Sequence, residues 1–241
     1  LKLQALLADA GHAGLVVSDL ANIRYLTGFT GSNALLLVPV AGECTFLTDG
    51  RYVDQARAQV WIEDQVIARN LLVEAESRGL EAWVAETQHL SVDEWRVLGE
   101  LSAAGNLVEQ LRLVKDQPEI EALTQACEVS VAAISRLWNE PLLGLSERQI
   151  AARLEGLMRD LGAEDRAFDT IVASGPHSAI PHHEPTDLLV ESGDLLKIDF
   201  GARVAGYHAD CTRTVVVGKA SAWQQEIHEA VRHAQSLGVE A

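Results

Sequence analysis

Leu195-Leu196-Lys197-Ile198-Asp199-Phe200-Gly201-Ala202-Arg203-Val204-Ala205-Gly206-Tyr207-His208-Ala209-Asp210-Cys211-Thr212-Arg213-Thr214 is the stretch on which the reading of this 241-residue chain turns. Two runs of strand-forming residues flank a glycine-bounded segment, Gly201 to Gly206, which predicts a β-hairpin. Side chains alternate between the faces of a strand, so Asp199 shares a face with Lys197, and Asp210 with His208, Thr212 and Thr214. The opposite faces carry Leu196 and Ile198 on one strand and Cys211, Arg213 and Val215 on the other. Folding the strands together brings both carboxylates onto one surface. Alone, Asp199-Phe200-Gly201 reads equally well as a strand-end aspartate capping a turn. Asp210 is harder to place as structure, because an acid within a β-branched strand is disfavoured unless something satisfies it. Two carboxylates held close repel unless a cation, a shared proton or a basic group lies between them. One or two hard divalent metal ions answer that need.

Upstream lies Ser174-Gly175-Pro176-His177-Ser178-Ala179-Ile180-Pro181-His182-His183-Glu184, a loop after an expected strand. Binding groups concentrate on loops held by a scaffold, and a neutral His serves as ligand, proton carrier or hydrogen-bond donor. His182 and His183 are therefore candidates, against the alternative of turn histidines capping backbone groups. The remaining histidines point nowhere in particular: His228 and His233 are five apart on an expected helix and share no face, and His12 and His89 sit near helix ends.

Composition sets outer limits. With 48% hydrophobic and 22% charged residues the chain has the make-up of a soluble globular protein of one or two domains. A formal charge of −16 argues against nonspecific binding to nucleic acid or to an anionic membrane, since either needs a basic patch. Cys44, Cys127 and Cys211 are odd in number and lack CxxC spacing, which disfavours a disulfide framework or zinc knot and fits a reducing, cytoplasmic compartment. No stretch approaches the roughly 20 apolar residues of a membrane span. Leu1-Lys2-Leu3-Gln4-Ala5-Leu6-Leu7 does not read as a signal peptide. There is no GxGxxG or GxxxxGK[ST] element for nucleotide phosphates, no GxSxG elbow and no HExxH helix. The tryptophans at 61, 83, 95, 138 and 223 are scattered, as packing residues are.

Along the chain, Leu3, Leu6, Leu7 and Ala10 predict a helix stopping at Gly11, followed by a strand from Ala13 to Val17. Asn22 to Ser32 reads as a loop, Ala34 to Val38 with Cys44 to Thr48 as a hairpin, and Arg51 to Gln59 as a helix. Trp61 to Val66 is expected to be extended and Leu71 to Glu86 an amphipathic helix. This alternation is that of an α/β domain. Helices are then expected from Pro118 to Asn139 and from Ser146 to Leu161, the second opening on the capping box Ser146-Glu147-Arg148-Gln149. Strands are expected at Thr170 to Ser174, Leu195 to Phe200 and His208 to Gly218, and a helix from Trp223 to Leu237. The change of texture puts a domain boundary near Val114 to Gln117, giving domains of 1–114 and 115–241.

Phe168-Asp169-Thr170-Ile171-Val172-Ala173-Ser174-Gly175-Pro176, Pro181-His182-His183, Gly193-Asp194-Leu195-Leu196-Lys197-Ile198-Asp199-Phe200-Gly201 and Gly206-Tyr207-His208-Ala209-Asp210-Cys211-Thr212-Arg213-Thr214 closely resemble the Xaa-Pro dipeptidases and aminopeptidases of the pita-bread metallopeptidase family. Asn22-Ile23-Arg24-Tyr25-Leu26-Thr27-Gly28-Phe29 and Thr48-Asp49-Gly50-Arg51-Tyr52 resemble the creatinase-type N-terminal domain that precedes the catalytic one. The resemblance covers essentially the whole chain. It implies an α/β creatinase-like domain followed by the first part of an α+β pita-bread domain. It also implies that Asp199 binds one metal of a pair through both oxygens and that Asp210 bridges the two. His182 matches the histidine that contacts substrate near the scissile bond and stabilises the tetrahedral intermediate, with His183 a second substrate-pocket candidate. The implied cofactors are two divalent ions, manganese or cobalt and sometimes zinc. The implied substrates are Xaa-Pro dipeptides or proline-containing peptides, cut by a hydroxide shared between the metals, and the implied assembly is a homodimer.

The family pattern further needs a metal-binding histidine and two metal-binding glutamates in a following half. The sequence reaches Leu237-Gly238-Val239-Glu240-Ala241 before any of them. Two aspartates are too few for a dimetal centre, whose ions each want about five or six ligands. The chain is therefore expected to be part of a longer peptidase and inactive by itself. Creatine hydrolysis on the same fold is disfavoured by the intact aspartate pair, and methionine aminopeptidase by the extra N-terminal domain. From a different class, the competing reading is a metal-free peptide-binding or interaction module on a degenerate peptidase fold.

Overall fold

The structure is a computed structural model and describes residues 2–241. It divides into two compact units, Leu1–Lys115 and Asp116–Ala241.

In the first unit the elements run α1 (Lys2–Asp9), β1 (Gly14–Val17), α2 (Leu20–Thr27), β2 (Ala34–Pro39), β3 (Thr45–Thr48), α3 (Val53–Gln59), β4 (Asp64–Ile67), α4 (Leu71–Glu76), β5 (Trp83–Ala85), α5 (Val92–Val97), β6 (Ser102–Ala103) and α6 (Leu107–Leu113). They build one mixed sheet of strand order β4-β3-β2-β1-β5-β6. Leu15, Val17, Leu36, Val38 and Phe46 enter one apolar cluster, whereas Val16, Leu35, Leu37 and Leu47 enter another. Covering both faces explains why β1 and β2 are unbroken apolar runs.

Two expectations fail here for identifiable reasons. The segment expected as a loop from Asn22 is helical through Thr27: Asp19 caps it by accepting from Ala21 N, and Gly28 ends it in the left-handed region at φ 83°. A helix this short carries little periodicity, and buried Asn22 is fixed by tertiary partners, donating to Glu86 and Glu109 at 2.7 and 2.8 Å. The helix expected over Leu71 to Glu86 stops at Glu76, and Trp83–Ala85 instead forms a strand parallel to β1. Gly79 at φ 75° and Ala82 at φ 62° break the helix. Gly14 completes the switch, since a Cβ there would lie 2.5 Å from the Trp83 ring that packs against it.

The second unit contains α7 (Gln117–Leu137), α8 (Glu147–Asp160), β7 (Asp165–Arg166), β8 (Ile171–Ser174), β9 (Leu195–Phe200), β10 (Ala202–Val204), β11 (Tyr207–His208), β12 (Cys211–Val216) and α9 (Ala222–Glu240). Its strands form two three-stranded sheets, β12-β9-β8 and β11-β10-β7. The capping box of α8 is complete, with Gln149 N donating to Ser146 Oγ at 3.2 Å and Ser146 N to Gln149 Oε1 at 2.9 Å. Ala133 and Leu137 of α7 and Ile150 and Leu154 of α8 pack on Leu196, Ile198 and Phe200 of β9. That packing turns Lys197 and Asp199 to the opposite, polar face.

The central hairpin extends beyond the expected turn. Strand pairing passes from β9–β12 into β10–β11, and only Ala205 and Gly206 form the turn. Both have positive φ, 49° and 79°, as a two-residue type I′ turn requires. At Gly201 the strand crosses from one sheet to the other. Ala202 N leaves the ladder to donate to buried Ser130 Oγ at 2.9 Å, and Gly201 O accepts from Ala167 N at 2.7 Å.

Candidate active site

β9 and β12 pair with Asp199 opposite Thr212 and Phe200 opposite Cys211. Ala209 N donates to Ala202 O at 3.0 Å, so the same register runs on through Asp210, which falls opposite Gly201. Asp199 and Asp210 are thus diagonal neighbours on the polar face, a spacing of about 7–8 Å between backbones. Asp199 is half-buried and its Oδ1 accepts from Thr212 Oγ1 at 3.0 Å, whereas Asp210 is exposed. Gly201 between them is obligatory: a Cβ there would fall 1.8 Å from Ala209 O. The cation on the same face does not neutralise the pair, because Lys197 Nζ donates to the carbonyls of Ile180 and Pro181. Among the described residues neither carboxylate forms an ion pair, and two carboxylates with oxygens to spare have the donor chemistry that hard divalent ions take.

The same lysine ties the histidine loop to this face, since Ile180 and Pro181 immediately precede His182. His182 is exposed, and among the described residues its ring makes no hydrogen bond. It opens onto a cleft of about 580 Å³ whose lining includes Arg148, Glu155, Arg166, Asp169 and Glu184, and which does not include Asp199 or Asp210. His183, its neighbour, is buried.

What holds His183 is Glu147, a fully buried carboxylate at the first position of α8. Oε2 accepts from His183 Nε2 at 2.8 Å, Thr186 N at 2.9 Å and Thr186 Oγ1 at 2.7 Å. Oε1 accepts from Ser174 N at 2.8 Å and His177 Nδ1 at 3.0 Å. Burial alone would raise the Glu147 pKa. The donors of His183, Ser174 and Thr186 outweigh it and bring the pKa down to about 2. An ionised carboxylate only accepts, so His183 carries its proton on Nε2 and His177 on Nδ1. The centroids of the two rings lie 4.3 Å apart, their planes tilted by 35°.

Glu147, His177 and His183 have ligand atoms within 4.8 Å of one another, as do Asp19, His89 and Glu109 in the first unit. Sequence reasoning singles out none of Glu147, His177, Asp19 and Glu109. Glu147 sits inside a capping box that already accounts for Ser146 and Gln149, and only the presence of a buried acid beside a histidine-rich loop would mark it.

Comparison with known proteins places this chain among peptidases. A family model described as metallopeptidase family M24 matches residues 121–241, and one described as the creatinase/prolidase N-terminal domain matches residues 1–123. The chain is 36% identical over 249 residues to an uncharacterised peptidase of Bacillus subtilis, covering 99% of this chain and 70% of that protein. It is 39% identical over 171 residues to an Xaa-Pro dipeptidase of Pyrococcus furiosus, covering 71% of this chain and 49% of that protein. Among solved structures, an Xaa-Pro dipeptidase from Bacillus anthracis superposes with a TM-score of 0.90 at 33% identity, over 97% of this chain and 68% of that one. The prolidase from Pyrococcus horikoshii superposes with a TM-score of 0.91 at 29% identity, over 100% of this chain and 71% of that one. Matched over nearly all of its own length, the chain spans about seven-tenths of these relatives.

Proposed function

This chain belongs to metallopeptidase family M24 and carries the creatinase/prolidase N-terminal domain ahead of it, and from that premise we propose that the full-length protein hydrolyses the Xaa-Pro bond of dipeptides or short peptides. A family of metallopeptidases implies divalent metal ions. In this reading Asp199 and Asp210 are among the residues that hold them. The family resemblance implies manganese or cobalt, with zinc as an alternative, and of these manganese suits carboxylate donors. Bound there, such ions would lower the pKa of a shared water and polarise the scissile carbonyl.

The chain's own residues do the rest. Thr212 Oγ1 occupies one lone pair of Asp199 Oδ1 and so fixes the rotation of the carboxylate. His182 donates a hydrogen bond to the carbonyl oxygen as negative charge develops on it, a contribution that grows from ground state to transition state. His183 shapes the pocket from behind, its ring committed to Glu147. The substrate amide before proline has no N–H, so recognition rests on the ring and the free amino end rather than on a backbone donor. Free Cys44, Cys127 and Cys211 support a reducing, cytoplasmic setting, and a homodimer belongs to the same reading. Among the described residues no helix is long and apolar enough to cross a membrane.

The observation that supports the proposal is the β9–β12 pairing, which sets Asp199 and Asp210 as diagonal neighbours on one polar face, with Lys197 of that face bonded to the Ile180 and Pro181 carbonyls just ahead of His182 in sequence. The test is release of the N-terminal residue from Xaa-Pro peptides by the full-length protein with manganese or cobalt added. Release that is abolished by Asp210→Ala is the expected result, and its absence in the wild type sinks the proposal.

A further inference from the structure

Glu147 spends its whole hydrogen-bonding capacity on a single loop. A carboxylate offers about four lone-pair positions, and Glu147 receives five hydrogen bonds, from Ser174, His177, His183 and twice from Thr186. That saturation leaves no lone pair for a cation, although the ligand atoms lie close together. What the arrangement produces is a fixed loop, anchored at both ends and at two points between. The backbone of α8 reinforces it, with Glu147 N donating to Leu188 O at 3.1 Å and Arg148 N to Thr186 O at 3.1 Å. On the other side Lys197 holds Ile180 and Pro181. His182 is the exposed residue between these two clamps.

We propose that Glu147 is a positioning residue for catalysis, acting through the Nε2–H of His183 to hold His182 at the angle the reaction needs. This rests on the reading of His182 as the residue that contacts substrate. The mechanism is orientational: a peptide bond links His182 to His183, so anchoring the second ring fixes the backbone from which the first projects. Freed from Glu147, His183 would turn and His182 would sample several directions, of which few place a donor on the carbonyl oxygen.

A double-mutant cycle on the full-length, manganese-loaded protein tests this. Glu147→Gln sets an amide N–H2 against donors and is expected to lower kcat at least tenfold with KM changed less than threefold. In a His182→Ala background the same substitution is expected to cost less than twofold, because nothing remains to be positioned. His183→Ala should behave as Glu147→Gln does, and His183→Gln, which keeps a donor near Nε2, should recover part of the loss. The His183 pair also serves if Glu147→Gln fails to fold. Additive losses, with Glu147→Gln or His183→Ala as costly without His182 as with it, overturn the positioning role alone. A His182→Ala variant with wild-type kcat overturns the reading of His182 and the positioning role with it.

Discussion

Glu147 Oε2 accepts from His183 Nε2 at 2.8 Å, with the carboxylate fully buried and the imidazole 8% exposed. This pair joins the first turn of α8 to the loop that carries His182, and it makes stability a function of pH. Because the folded pKa of Glu147, about 2, lies below its ordinary 4.5, its contribution is complete above about pH 4.5 and is lost as pH falls toward 2. The shift corresponds to on the order of 3 kcal/mol. Urea unfolding between pH 7 and pH 3 should show the wild type losing roughly 2 kcal/mol more stability than Glu147→Gln, the remainder going below pH 3. Parallel limbs would contradict the assignment.

Gly201 predicts a coupled loss of stability and metal affinity. An added Cβ would sit 1.8 Å from Ala209 O and 2.7 Å from Ala209 C, both backbone atoms that cannot swing aside. Gly201→Ala should therefore force the hairpin apart between Asp199 and Asp210, costing about 3 kcal/mol and weakening manganese binding. Denaturant melts and metal titration read the two effects.

The turn at Ala205-Gly206 is under mild strain, because alanine at φ 49° sets its Cβ against the following carbonyl oxygen. Asn tolerates that conformation, and Asn-Gly is the favoured type I′ pair. Ala205→Asn should stabilise the protein by about 1 kcal/mol, visible as a rise in Tm, with activity unchanged because the turn lies away from both aspartates.

Lys197→Met removes the donors to Ile180 O and Pro181 O while keeping the length of a half-buried side chain. The clamp on the near side of His182 is lost, and kcat on Xaa-Pro dipeptides should fall about tenfold. Manganese affinity should hold or rise, since a positive charge leaves the face that carries Asp199.

Alternation alone puts Asp199 and Asp210 on one face, because a strand's two-residue period leaves little freedom once Leu196, Ile198 and Phe200 are assigned to the core. The cap of α8 is equally legible, as Ser146 and Gln149 stand at the spacing a capping box demands. The role of Glu147 is not. Its partners are 27 to 39 residues away, and nothing local distinguishes a solvated helix-start glutamate from a buried one. Trp83–Ala85 departs from its helical spacing for a similar reason: its pairing with β1 and the fit of Trp83 over Gly14 are tertiary facts that override local periodicity. Local rules govern the hairpin and the helix cap, and long-range contacts govern the histidine loop.

The assignment of Asp199 and Asp210 as metal ligands is tested most directly by the metal content of the full-length protein after equilibration with manganese and removal of free ions. Bound manganese is expected in the wild type and its loss in Asp199→Ala and in Asp210→Ala, with both variants still folded. Metal retained by Asp210→Ala at the wild-type level, or none bound by the wild type, would contradict it and leave a metal-free peptide-binding module in its place.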